Sequence, residues 1–187
     1  LLMWPILKFR PEERDLFESR MIAALSAEAE RIPAEEVSVL AVDWMNGRRT
    51  PDANQNLKGA ICNLSMGTSA PMIYRALVEA TAFGSKAIVD RFVTEGIRVD
   101  AIIAIGGIPQ KSPFVMQVLS DVLNMPIDVS RTDQACALGA AMFAAVVAGL
   151  YPDLPAAQRA MGAGVGRRYE PNARLHDIYM RRYHKYE

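Results

Sequence analysis

Residues 101–107 read Ala-Ile-Ile-Ala-Ile-Gly-Gly, a continuous apolar run that is ended by two glycines. A short apolar run bounded by glycine is typical of a buried strand. Ser112 and Pro113 follow, a pair that often opens a helix, and the apolar pattern after them extends to about Asn124. This stretch therefore predicts a strand, a glycine turn and a helix in direct succession.

The rest of the chain repeats this alternation. Short apolar runs predict further strands at 37–42, 57–64 and 126–130. Segments with helical spacing or very small residues predict helices at 11–31, 70–95, 135–148, 153–161 and 172–186. The glycine-rich segment 162–166 is interpreted as the turn between the last two helices. Alternating strands and helices are typical of an α/β domain with a partly parallel sheet covered by helices.

Gly106 and Gly107 are the strongest local sign of a ligand site. Ligands of such sheets bind beyond the carboxyl ends of strands, and glycine lets the backbone approach a flat or charged group closely. The pair fits neither the Gly-x-Gly-x-x-Gly dinucleotide pattern nor a P-loop, so those two nucleotide classes are disfavoured. On the residues alone, a tight turn without a ligand is the favoured alternative.

Gly67, Thr68 and Ser69 form a second sequence that resembles a phosphate loop. Ser69 precedes Pro71 by two residues, however, and serine followed by proline is typical of the start of a helix. We therefore interpret Ser69 as a helix cap.

The loop after the first predicted strand concentrates polar groups, and it reads Asp43-Trp44-Met45-Asn46-Gly47-Arg48-Arg49. Its carboxylate, amide and guanidinium groups could hold a polyol or a phosphate by bidentate hydrogen bonds and stacking. A rigid structural loop is an equal alternative, in which an arginine pairs with Asp43 and Trp44 fills the core.

Charge balance disfavours two classes of partner. Lysine plus arginine and aspartate plus glutamate both number 21, so no net field attracts nucleic acid or an anionic membrane. The basic segment 167–185 is interpreted as a solvated amphipathic helix, with an RNA- or phosphate-binding tail as the weaker alternative.

Cysteines, histidines and the N-terminus exclude further classes of site. Cys62 and Cys136 lie far apart and outside any Cys-x-x-Cys pair, which is typical of buried thiols in a reducing cytoplasm. His176 and His184 are about 12 Å apart along a predicted helix, too far to share a metal ion. Residues 1–9 are apolar but too short to cross a bilayer, and we interpret this start as that of a piece cut from a longer protein.

Several blocks, in a fixed order, resemble the FGGY family of carbohydrate kinases. These blocks are residues 43–51, 54–55, 57–59, 80–84, 105–108 and 133–141. The resemblance runs from about residue 37 to the end. It divides the chain into an N-terminal helical segment, 1–36, and a C-terminal nucleotide-binding domain, 37–187.

The resemblance implies a ribonuclease H-like fold of the actin, hexokinase and Hsp70 superfamily, with a mixed sheet flanked by helices. It also implies that ATP binds in a cleft between two halves of the enzyme. The residues that would contact the nucleotide are Gly106, Gly107, Ile108, Lys111 and Ser112. The family's catalytic aspartate lies upstream, so no catalytic residue and no metal ligand is assigned here, and Mg²⁺ is expected to be held mainly outside this chain.

Segment 43–49 is similar to that of family members that act on ribulose. The resemblance therefore implies ATP-dependent conversion of L-ribulose to L-ribulose 5-phosphate in arabinose catabolism, with this chain supplying the adenosine side of the cleft. The alternatives are a kinase for xylulose, glycerol or a related polyol, or a non-catalytic dimerisation or regulatory domain of the same fold. The expected partners are ATP and a sugar in the cytoplasm, and a homodimer is left open.

Overall fold

The computed structural model describes residues 11–187, so the predictions made for residues 1–9 lie outside the described residues. The helices are α1 (Pro11–Arg31), α2 (Ala70–Thr94), α3 (Gly107–Lys111), α4 (Pro113–Leu123), α5 (Ala135–Val147), α6 (Leu154–Met161) and α7 (Ala173–Tyr186). The strands are β1 (Leu40–Val42), β2 (Ala60–Cys62), β3 (Ile102–Ala104), β4 (Ile127–Ser130) and β5 (Val165–Tyr169), and a 3-10 turn covers Ala34–Glu36. No helix in the described part of the chain is long and apolar enough to span a membrane.

The chain divides into two compact units. One runs to Thr81 and includes Tyr186, and the other comprises Ala82–Lys185 and Glu187. Helix α2 begins in the first unit and continues into the second.

The first unit holds an antiparallel pair of strands, in which Leu40 of β1 pairs with Cys62 of β2. Its core contains small and β-branched side chains, Val37, Val39 and Ala41 among them. The predicted cap of α2 is confirmed, because Ser69 Oγ accepts a hydrogen bond from the Met72 amide at 3.4 Å.

A buried arginine of α2 forms an ion pair within that helix and also contacts the end of α1. The Arg75 Nε atom donates to Glu79 Oε1 at 3.0 Å, and the two side chains are 5% and 1% exposed. The Arg75 NH1 group also donates to the carbonyl oxygens of Ala29 and Ile32, at 2.9 and 2.7 Å. Carbonyls at the end of a helix lack intrahelical partners, so this one guanidinium satisfies the C-terminal end of α1 and fixes it to α2.

The second unit is built on a three-stranded sheet in the order β3-β4-β5. Strands β3 and β4 are parallel, whereas β4 and β5 are antiparallel. Helix α4 packs on this sheet through a cluster of buried residues that comprises Met116, Leu123, Ile127, Val129 and Tyr169. The predicted α/β class with a mixed sheet flanked by helices is confirmed.

Strand β5 corrects the sequence prediction, which placed a turn at 162–166 and helix from 167 onward. Four of its five residues are exposed and only Tyr169 is buried. The strand therefore lacks the alternation of apolar and polar residues that predicts a half-buried strand. Pairing holds it in place: Arg168 lies opposite Asp128 in the register, and their side chains approach to 3.2 Å. Opposite charges at paired positions stabilise neighbouring strands.

Candidate nucleotide-binding turn and polar loop

Residues 106–112, here called the glycine turn, follow β3 in the second unit. Gly106 has φ +96° and ψ −169°, a conformation that residues with a Cβ atom rarely adopt. Gly107 has no positive φ and begins α3. A Cβ atom at either glycine would meet no atom of the described residues within 4 Å. The backbone conformation therefore requires glycine at 106, whereas at 107 glycine serves only to leave the space in front of the backbone open.

The turn is more regular than the sequence predicts, because it contains the five-residue helix α3. Pro109 is buried, and the Ser112 amide donates to the Ile108 carbonyl oxygen at 2.9 Å. Ser112 then precedes Pro113 as the N-cap residue of α4, although its side chain makes no cap hydrogen bond. Proline has a fixed φ that suits the first turn of a helix, which explains why the short helix forms here.

Apolar and cationic side chains flank the two glycines. Ile105 and Ile108 are 54% and 63% exposed. Lys111 is also exposed, and it forms no ion pair with any residue in the described range. An apolar surface, an open backbone and a lysine within seven residues suit a ligand that has a flat ring and an anionic tail.

The polar loop, residues 43–49, lies in the first unit. The Trp44 Nε1 group donates to the Tyr186 hydroxyl at 3.1 Å, and the two rings meet edge to face with centroids 5.7 Å apart. Asp43 Oδ2 accepts from the Thr81 hydroxyl at 3.4 Å. Trp44 and Asp43 are therefore both engaged within the unit.

Arg48 pairs with a different acid from the one predicted. Its NH2 group lies 3.2 Å from Asp52 Oδ2, its Nε donates to the Asp52 carbonyl oxygen at 2.8 Å, and its Cζ lies 5.6 Å from the Trp44 ring centroid. The partner is Asp52 and not Asp43, since residues 48 and 54 exchange backbone hydrogen bonds and the short connection between them carries Asp52. Of the four candidate residues, Asn46 is the one whose side chain is largely exposed.

Gly47 gives the polar loop its shape. Its φ is +88°, and a Cβ atom there would lie 2.6 Å from the Gln55 Cα atom. A larger residue would therefore strain the backbone and clash with the neighbouring chain. The conformation of the polar loop is fixed by its own packing, as the structural alternative requires.

The buried carboxylates in the described residues are Glu79 and Asp121. Glu79 faces Arg75, while Asp121 Oδ1 accepts from Gln117 Nε2 and from the Asn172 amide, both at 2.8 Å. Both carboxylates therefore hold structural elements together. No group of three His, Cys, Asp or Glu side chains in the described part of the chain could hold a metal ion. Cys62 and Cys136 are both exposed, so the prediction of buried thiols is wrong.

Tyr186 is a residue that sequence reasoning missed, because 142 positions separate it from Trp44 and no local pattern links them. Burial raises the pKa of Tyr186 above its ordinary value of 10.0, and the Asp43 carboxylate raises this pKa further. The Trp44 indole N–H and the Arg48 charge act in the opposite direction.

The raised pKa of Tyr186 predicts a loss of stability at alkaline pH. The folded state disfavours the phenolate, so the stabilisation is complete below the unfolded pKa of about 10 and is lost as pH rises through the folded pKa. We expect the difference in ultraviolet phenolate absorbance between the unsubstituted protein and Tyr186→Phe to titrate above pH 10. A midpoint at or below that pH would contradict the burial of Tyr186 and the position of the Asp43 carboxylate beside it.

Comparison with known proteins places this fold in a family. Residues 2–148 match the C-terminal domain of the FGGY family of carbohydrate kinases, so the chain belongs to that family. A ribulokinase of Vibrio parahaemolyticus is 46% identical over 192 aligned residues, which cover 100% of this chain and 34% of that relative. The chain thus spans about a third of the length of this curated relative.

Solved structures show the same fold. A xylulose kinase of Rhodospirillum rubrum superposes with a TM-score of 0.77 at 24% identity, covering 90% of this chain and 33% of that one. A Plasmodium falciparum glycerol kinase solved with ADP superposes with a TM-score of 0.72 at 22% identity, covering 93% of this chain and 35% of that one. The expected actin- and hexokinase-like architecture is therefore confirmed.

Proposed function

We propose that this chain is the C-terminal part of an ATP-dependent ribulokinase, called the full-length kinase below, and that it supplies the adenosine side of the nucleotide cleft. The reaction transfers the γ-phosphoryl group of ATP to the terminal hydroxyl of L-ribulose, giving L-ribulose 5-phosphate and ADP. Membership of a carbohydrate kinase family supports the reaction class, and the similarity to a ribulokinase supports the sugar.

The open space at Gly107 is the observation that carries the proposal. Its backbone conformation is available to other residues, yet any side chain there would enter the space in front of the turn. Absence of a side chain allows a ligand to lie directly against the backbone. The turn also follows the carboxyl end of a parallel strand, where ligands of α/β sheets bind.

The five candidate residues of the glycine turn each have a proposed role. Gly106 shapes the turn, while Gly107 and Ile108 lie against the adenosine, with the Ile108 side chain providing apolar contact for the ring. Lys111 and Ser112 bind polar or anionic parts of the nucleotide, since an ammonium and a hydroxyl are donors suited to them. ATP supplies the phosphoryl group, and Mg²⁺ neutralises the phosphate charge from ligands outside this chain.

The polar loop is proposed as a structural loop more than as a sugar contact. Three of its four candidate side chains are at least partly buried in contacts within the first unit. Asn46 is exposed, and it is the residue of the four that we propose as a hydrogen-bond donor to substrate. Location in the cytoplasm and assembly into a homodimer remain predictions.

A substrate panel on the full-length kinase tests the proposal. ADP release is measured with L-ribulose, D-ribulose, D-xylulose and glycerol at saturating MgATP, and we expect the highest kcat/KM with L-ribulose. Preference for xylulose would favour the alternative kinase, in line with the solved xylulose kinase of the same fold. Absence of transfer to every sugar would favour the non-catalytic alternative.

A further inference from the structure

The glycine turn needs support from residues other than its two glycines, because the space next to those glycines is open. No atom lies within 4 Å of a Cβ built at Gly106 or Gly107, so nothing in the described structure packs against that face. A turn that binds a ligand must nevertheless keep its backbone in one conformation, since loss of mobility on binding lowers affinity. The contacts made by the other residues of the turn must therefore hold its backbone in place.

Gln110 provides such support. Its Nε2 group donates a hydrogen bond to the carbonyl oxygen of Ser130, the last residue of β4. Strands β3 and β4 are parallel neighbours, so their carboxyl ends lie at the same edge of the sheet. In the described structure, this is the side-chain hydrogen bond that joins the glycine turn to another strand of the sheet. Pro109, the adjacent residue, is buried and so holds the turn by apolar packing as well.

We propose that Gln110 is a positioning residue for the nucleotide: its carboxamide fixes the glycine turn to the end of β4 and so keeps the backbone at Gly107 ready for adenosine. Gln110 itself touches no reacting atom. The kinetic consequence rests on the proposed function, whereas the mechanical consequence, a turn fixed to β4, does not.

Gln110→Met is the variant that tests this inference in the full-length kinase. Methionine is neutral and of similar length but has no N–H donor, so it removes the hydrogen bond and little else. A typical hydrogen bond contributes about 1 kcal/mol net, so amide hydrogen exchange in residues 105–113 should become roughly two- to tenfold faster. The KM for ATP should rise by a similar factor, while the KM for the sugar and kcat change by less than about twofold.

Two companion variants sharpen the result. Gln110→Lys keeps a donor of suitable length, and we expect it to restore slow exchange of the turn. Gln158→Met is the matched control, because Gln158 lies exposed on α6 in the same unit and its side chain makes no hydrogen bond to any residue the structure describes. It should leave both exchange and kinetics unchanged.

Separate outcomes overturn the two proposals. Unchanged exchange in residues 105–113 of Gln110→Met would overturn the positioning role of Gln110. Faster exchange with an unchanged KM for ATP in an active kinase would do the same, because the turn would then be loosened without effect on the nucleotide. If the unsubstituted kinase transfers no phosphoryl group, the proposed function fails while the exchange measurement still decides whether Gln110 fixes the turn.

Discussion

The Gly107→Val variant of the full-length kinase is expected to bind MgATP at least about 100-fold more weakly, with its free energy of unfolding nearly unchanged. Among residues 11–187, no atom lies within 4 Å of a Cβ at this position, and the φ of Gly107 is not positive. Valine therefore meets open space and causes no backbone strain in the unliganded protein. Its branched side chain would instead occupy the space proposed for adenosine. A loss of about 2.7 kcal/mol of binding free energy corresponds to this factor.

Gly67→Val is the matched control for this experiment. Gly67 also lies in open surroundings, where its Cβ would meet only the Ser65 Oγ atom, at 3.9 Å. It belongs to the second sequence that resembles a phosphate loop, and its neighbour Ser69 caps α2. Isothermal titration calorimetry with MgATP should show no change for Gly67→Val. Equal affinity of Gly107→Val and the unsubstituted kinase would place the nucleotide away from the glycine turn.

The Arg75→Ala variant is expected to lower the free energy of unfolding by about 3–5 kcal/mol. Removing one member of a buried ion pair is strongly destabilising, and this variant takes the Arg75 charge away from Glu79, which is only 1% exposed. The same substitution also removes the donors to Ala29 and Ile32 at the end of α1. Arg75 therefore contributes to two elements at once.

Urea unfolding followed by circular dichroism measures this effect. We expect Arg75→Met combined with Glu79→Leu to be less destabilised than Arg75→Ala, because two apolar side chains of similar volume leave no buried charge. Arg31→Ala is the control, since Arg31 and Glu28 form an exposed pair in the same unit and such pairs contribute about 0–1 kcal/mol. A loss below about 1 kcal/mol for Arg75→Ala would contradict the described burial of the ion pair.

Local sequence patterns predicted much of the fold. The run at 101–107 predicted β3 and its glycine turn because β-branched residues favour extended backbone, whereas glycine adopts backbone conformations that other residues avoid. Strand β5 was missed, since backbone pairing and one buried tyrosine hold it and apolar alternation does not. Such a strand is recognisable only when its neighbour β4 is already in place.

The candidate site was predictable in part, for similar reasons. Glycines next to an apolar strand mark an open turn, but the contact between Gln110 and Ser130 crosses 20 residues and has no sequence signature. In the polar loop, composition predicted ionic contacts correctly while the partner of Arg48 depended on the backbone pairing of residues 48 and 54. Long-range contacts therefore set the limit of the sequence-based interpretation.

Hydrogen exchange of the full-length kinase with and without saturating MgADP tests most directly whether this chain provides the adenosine side of the cleft. Our account predicts slower exchange of the amides in residues 105–113 when MgADP is bound, with little change in α6. The account would be contradicted if calorimetry showed that MgADP binds while exchange in residues 105–113 stayed the same.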